Sequence, residues 1–191
     1  MKIDDGSGKG YQAKVDSLNR IHTRAQVASE NLGAAKDGEA YNIHSGSISF
    51  SAAGSLIYLK NNETQDLIIE GLVVALGAGS VSDSPEISIY QDITGGDLLT
   101  DETAVTFVAN RNYGSSRALV ADTYMGKNAG TVTGTGSGLF YFTAASRNFA
   151  ELNIILPKGS SIGIALDPKL TAGTMKAYAV LITYLSNPAS T

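Results

Sequence analysis

Residues 149–168 read FAELNIILPKGSSIGIALDP. Apolar and polar side chains alternate up to Pro157, which has no amide hydrogen to offer a ladder and ends the run. Lys158-Gly159 then supplies a turn, and Ile162, Ile164 and Leu166 resume the alternation until Pro168 stops it. A period of two places one row of side chains on each face of a sheet, so these residues predict two half-buried strands and not a helix.

The same signature recurs outward in both directions, at the spacing of about 8–12 residues expected of sandwiches and barrels. YNIHSGSISF (41–50) reads as a hairpin turning at Ser45-Gly46, SLIYLKN (55–61) alternates, and DLIIEGLVVALG (66–77) reads as a long buried strand after the polar turn at 61–64. Further candidates are EISIYQDI (86–93), AVTFVAN (104–110), GLFYFTA (138–144) and KAYAVLITYL (176–185). No long helical pattern separates them, which argues against a parallel β/α arrangement. The expected fold is all-β, an antiparallel two-sheet sandwich with a jelly roll as first choice, and helix should be scarce.

The first forty residues differ. From Met1 to about Ala40 the chain is polar and rich in Gly, Ala and charge, so it cannot bury much apolar surface on itself and is either disordered or held by something else. The expected organisation is an extended N-terminal arm and linker over 1–40 and a β-sandwich domain over 41–191. Within the arm, AKV and RIHTRAQV predict a short hairpin around Asp16-Ser17-Leu18-Asn19, and ASENLGAAKDGEA (28–40) reads as a tether. Arg20, His22 and Arg24, spaced by two, fall on one face of an extended strand. That cationic row either clips onto an acidic partner or is a solvated strand face.

Composition removes several classes of function. A net charge of −4 and a pI near 5.1 argue against a nucleic-acid surface, which needs clustered Lys and Arg. A mean hydropathy of +0.01, with no uninterrupted apolar run of about 18 residues, predicts a soluble chain without a membrane span. The absence of cysteine excludes disulfides, thiolate metal sites and cysteine nucleophiles. MKIDDGSGKG has no apolar core of a secretory signal, so the chain is expected to fold where it is made.

Apparent motifs fail on spacing. Gly6-Ser7-Gly8-Lys9-Gly10 lacks the Ser or Thr that follows the lysine of a phosphate loop, and Gly77-Ala78-Gly79 has Ser82 where a dinucleotide fingerprint needs a third glycine. His22 and His44 are the only histidines, too few for a multi-histidine zinc site and poor material for a Ser-His-Asp relay. Carboxylates at Asp4, Asp5, Asp97, Asp101 and Glu102 are not fixed in any pocket by the sequence. No catalytic residue, metal ligand or cofactor is assigned. Tyr90, Tyr113, Tyr124 and Tyr141 are the aromatics available to a sugar-binding platform. Two long loops, ANRNYGSSRA (109–118) and GKNAGTVTGTGSG (126–138), are candidate partner surfaces, and in the first Arg111, Tyr113 and Arg117 are the candidate contacts.

Taken in order, DGSGKGYQAKVDSLNRIHTRA, AAKDGEAYNIHSG, LIYLKNNETQDLII, RNYGSS and LPKGSSIGIALDP resemble tailed-bacteriophage virion proteins. The resemblance implies a non-enzymatic structural component of the virion, similar to jelly-roll capsid decoration or cement proteins that sit on the capsid as homotrimers. The implied partners are the major capsid protein or other virion proteins, with no nucleic acid and no membrane. The alternative it leaves open is a tail, neck or fibre module that binds a host glycan or receptor, or adapts another virion protein.

Overall fold

A computed structural model describes residues 30–97, 108–135, 141–143 and 147–186, and these are mostly antiparallel β structure with one short helix, α1 (Glu30–Asp37). The first sheet contains β1 (Ala40–His44), β2 (Ile48–Phe50), β4 (Leu67–Leu76), β8 (Val108–Asn110), β12 (Arg147–Leu156) and β15 (Met175–Leu185). Its order is β12-β4-β15-β1-β8, with β2 also on β15. The second contains β3 (Gly54–Asn61), β6 (Glu86–Gln91), β9 (Ala121–Met125), β11 (Tyr141–Thr143) and β13 (Ser161–Asp167), in the order β11-β6-β13-β3-β9. Two small ribbons pair β7 (Ile93–Gly96) with β10 (Val132–Gly134), and β5 (Ser80–Val81) with β14 (Leu170–Ala172). The expected antiparallel two-sheet sandwich is observed.

Alternation builds the core. On β15, Ala177, Ala179, Leu181 and Leu185 point inward and are buried, while Lys176, Tyr178, Val180, Ile182 and Tyr184 take the opposite face. The inward row joins Leu67, Ile69, Leu72 and Val74 of β4 and, from the second sheet, Ile57, Leu59, Ile87, Ile89, Ile162 and Ile164 in one apolar cluster. Each fully buried Leu or Ile contributes about 1.5–3 kcal/mol relative to its exposed state, so this cluster is the main favourable term.

The stretch 149–168 does not form a hairpin within one sheet. β12 ends at Leu156 on the first sheet and β13 begins at Ser161 on the second, so the turn at Lys158-Gly159 is a corner of the sandwich. Gly159 takes φ +84° there. Asn61, fully buried at the end of β3, pins this corner to the neighbouring β3–β4 corner. Its amide donates to Leu156 O (2.8 Å) and Gln65 O (2.9 Å), its side-chain oxygen accepts from the Glu63 N–H (2.9 Å), and its backbone exchanges bonds with Gly159 and Ser160.

Two local expectations are corrected. YNIHSGSISF is not a hairpin: β1 and β2 run in the same direction along β15, with His44 opposite Val180 and Ile48 opposite Ala177. One extra residue is accommodated between them as a bulge, where Gly46 adopts φ +73°. Ser45 is fully buried and satisfies the interruption, its N–H donating to Ala179 O (2.9 Å) and its hydroxyl accepting from the Ala179 N–H (2.8 Å). Part of the stretch 28–40, read as a tether, is α1. Eight residues are too few for a stable isolated helix. Here Ala34 is buried, Glu30 and Lys36 suit the two ends of the helix dipole, and Gly38 (φ +77°) closes the C-terminus. Both bonds of a Schellman turn are present, Glu39 N to Ala34 O (2.7 Å) and Gly38 N to Ala35 O (3.3 Å).

Candidate interaction surfaces

The loop after β8 and the root of the N-terminal segment form one hydrogen-bonded unit. Asn110 organises it, donating from its side-chain amide to Gly38 O (2.7 Å) and Arg117 O (2.9 Å) and accepting from the Asn112 N–H (2.8 Å). Asn112 repeats the device, accepting from the Gly114 N–H (3.0 Å) and donating to Lys36 O (2.9 Å). Such Asn-centred turns replace the lost strand ladder, so the loop has a defined shape without secondary structure.

Two of the three candidate contacts in this loop are half-buried and paired within the chain. Arg111 bonds Asn31 of α1 and lies 3.9 Å from the Glu70 carboxylate of β4, while Asn31 also donates to Glu70. Arg117 pairs with Glu39, donates to Gln65 Oε1 (3.2 Å) and lies 4.0 Å from Glu63. Glu63 in turn accepts the Val120 N–H (2.9 Å). The two guanidinium groups therefore tie α1, the loop and the β3–β4 corner together. Tyr41, beneath this cluster, donates to Gly38 O (3.1 Å), and burial raises its hydroxyl pKa against the lowering pull of Arg117. Tyr113 is different: it is 98% exposed at the loop tip. Arg20, His22 and Arg24, together with the expected hairpin at 16–19, lie outside the described residues.

The second sheet has its own cover. The β7–β10 ribbon lays Ile93 and Val132 over Tyr58, Tyr90 and Tyr124, and Tyr58 stacks on Tyr124 with ring centroids 5.3 Å apart. Tyr90 and Tyr124 thus pack against the ribbon, and the side chain of Tyr141 lies outside the described residues. Close approach of the ribbon uses Gly163, where a Cβ would lie 2.9 Å from Ile93 Cδ1. Asp97 fastens the loop leading into β10: its carboxylate accepts from the Thr131 N–H (2.6 Å) and hydroxyl (3.0 Å) and meets Lys127 Nζ at 3.0 Å. The Thr131 N–H, then Lys127 and the Thr131 hydroxyl, lower its pKa to about 2.

Beside the ribbon is an open cleft of about 470 Å³, lined by Gly54, Glu86, Ser88, Tyr90, Thr131 and Asp167 among others. Its two carboxylates are both taken by Lys169, 2.7 Å from Asp167 and 3.1 Å from Glu86. Among the described residues no three His, Asp or Glu side chains gather as a metal site, and no helix is long and apolar enough to cross a membrane. Asp4, Asp5, Asp101 and Glu102 lie outside the described residues.

Among the described residues the first sheet is covered less completely. Its outward face carries Phe149 and Ile155 of β12, Ile68 and Val73 of β4, and Tyr178, Val180 and Ile182 of β15. α1 lies against β1 and β15 at the Tyr184 end, with Glu30 and Glu70 close enough to act on the Tyr184 hydroxyl. Away from it, Phe149 is 56%, Ile155 61% and Tyr178 43% exposed. No family model matches the chain, and no curated protein matches its sequence.

Proposed function

We propose that this chain is a non-enzymatic structural protein of a bacteriophage virion, a capsid decoration or cement protein that attaches through its N-terminal segment and its sandwich. The observation that carries the reading is the root of that segment. A fastening arm has to transmit load to the body, and α1 is capped by the Schellman turn at Gly38 and tied by Asn31 and Arg111 to β4 and to the loop after β8. The resemblance of the sequence segments to virion proteins supports the same reading. So does the nested pairing of β1 with β15, β3 with β13, β4 with β12 and β6 with β11, which is the path of a rolled hairpin, and we assign it to a jelly roll. Attachment as a trimer to the major capsid protein would multiply modest individual contacts.

The test is incorporation. A chain beginning at residue 30 should fold and fail to join particles that the full chain decorates. Normal incorporation of the shortened chain would overturn the role given to the segment.

A second reading has one observation in its favour. Tyr113 stands almost fully exposed on a loop held rigid by Asn110 and Asn112, the kind of preorganised aromatic that a receptor or glycan contact uses. Host-cell or glycan binding by the protein, abolished by Tyr113→Ala with no change in melting temperature, would establish it over the cement role.

A further inference from the structure

The two outer faces of the sandwich are treated unequally. Among the described residues, the second sheet has the β7–β10 ribbon over its tyrosines, whereas the first sheet has only α1, at one end. What stays open is a contiguous apolar strip. Phe149 and Val180 flank Val73 across β4, Tyr178 lies beside Ala75, and Ile155 pairs with Ile68. The Phe149 ring lies over Gly71, where a Cβ would come within 2.6 Å of it, so the strip is smooth as well as apolar. Strips of this sort on a soluble chain mark a surface that something covers.

Three observations identify what covers it. The described structure begins at Glu30, and Asn31 is bonded to Glu70 of β4, so the point from which residues 1–29 are tethered lies on this face at the border of the strip. Their length is ample: four strands span roughly 15 Å at about 4.8 Å spacing, and 29 residues reach up to about 95 Å when extended. Charge agrees too. Residues 1–29 hold five Lys and Arg against three Asp, and the rest of the chain holds nine Lys and Arg against fifteen Asp and Glu. Exposed Glu151 of β12 stands on the open part of the face as a partner for such a segment.

We propose that the open outer face of the six-stranded sheet is the seat of residues 1–29 of the same chain, folded back from α1 across Tyr178, Val180, Val73 and Phe149. Ile3, Tyr11, Val15, Leu18, Ile21 and Val27 supply the apolar side chains for the strip. Attachment at Glu30 makes the contact intramolecular, with an effective concentration in the millimolar range, so weak side-chain contacts suffice to hold it. α1 is then the visible end of a longer cover. The docking does not rest on the virion reading. Where that reading holds, the segment must leave its own sheet before it engages a second molecule.

The test uses the full chain with a photoreactive benzophenone amino acid at position 178 and, separately, at position 149, irradiated as a mixture of ¹⁴N- and ¹⁵N-labelled protein. Position 133, exposed on β10 of the ribbon over the opposite sheet, is the control. The expected product is a single-chain link from 178 and from 149 to peptides within residues 1–29, several-fold more abundant than any such link from 133. Links that join light to heavy chains, whether to residues 1–29 or to the sheet of a second copy, would overturn the proposal. So would irradiation that leaves residues 1–29 unlinked from both positions.

Discussion

A Cβ at Gly126 would lie 2.1 Å from the Ser55 carbonyl oxygen, because β9 closes on β3 there and the Gly126 N–H donates to Leu56 O (2.9 Å). Backbone cannot yield as a side-chain tip can, so Gly126→Ala should cost about 3 kcal/mol as the strands are forced apart. Gly159, at φ +84° with open space around it, provides the contrast. Gly159→Ala should cost only about 1–2 kcal/mol, the penalty of a left-handed conformation. Chemical denaturation of both variants checks this, and equal losses would remove the steric explanation. Neither difference is legible in the sequence, where both glycines simply follow a polar or strand residue. The same holds for Arg111 and Arg117. Their residue types suggested partner contacts, and the carboxylates that occupy them, Glu70, Glu39 and Glu63, are remote in sequence and arrive only through folding.

At the scale of elements, the loop leading into β10 is held by backbone and Asn128 hydrogen bonds and, at its Thr131 end, by one ionised group, Asp97. The folded pKa of Asp97 is depressed to about 2, so its contribution is present above the ordinary carboxylate value of 3.8 and is lost as pH falls through about 2. Acidification through about pH 2 should release Thr131 and Lys127 while the two main sheets persist. Asp97→Asn should remove that transition. The Thr131 amide shift followed by NMR is the measurement, and a midpoint near the ordinary carboxylate value would show that the three hydrogen bonds are not formed. Elements were legible in proportion to their alternation. SLIYLKN, EISIYQDI and KAYAVLITYL became β3, β6 and β15, whereas ADTYM, all half-buried as β9, gives no clear two-residue pattern. The helix in ENLGAAKD was hidden by Gly33, which costs a helix about 1 kcal/mol, and by its dependence on Ala34 burial and the Asn31–Glu70 contact.

For the whole molecule, the core cluster among the described residues is built from Tyr41 onward, so a chain that lacks residues 1–29 is expected to keep it. The shortened chain should keep its β circular dichroism and unfold cooperatively. With its outer face bare it should also self-associate as concentration rises. A noncooperative melt would show that the segment is part of the core, and a strictly monomeric shortened chain would show that the bare strip is not sticky. The sequence by itself determined that the chain is built of antiparallel strands, that residues such as Ile162, Ile164 and Leu166 share one face of a strand, and that its front differs in composition from its body. Those are properties of neighbours two residues apart, and alternation of apolar and polar side chains records them directly. Only the tertiary structure decided that the Lys158-Gly159 turn crosses between sheets, that Ser45-Gly46 joins two strands running the same way, that the two loop arginines pair within the chain and that the described residues leave part of one sheet face uncovered. Each of these depends on pairings between residues tens of positions apart, which no local pattern encodes.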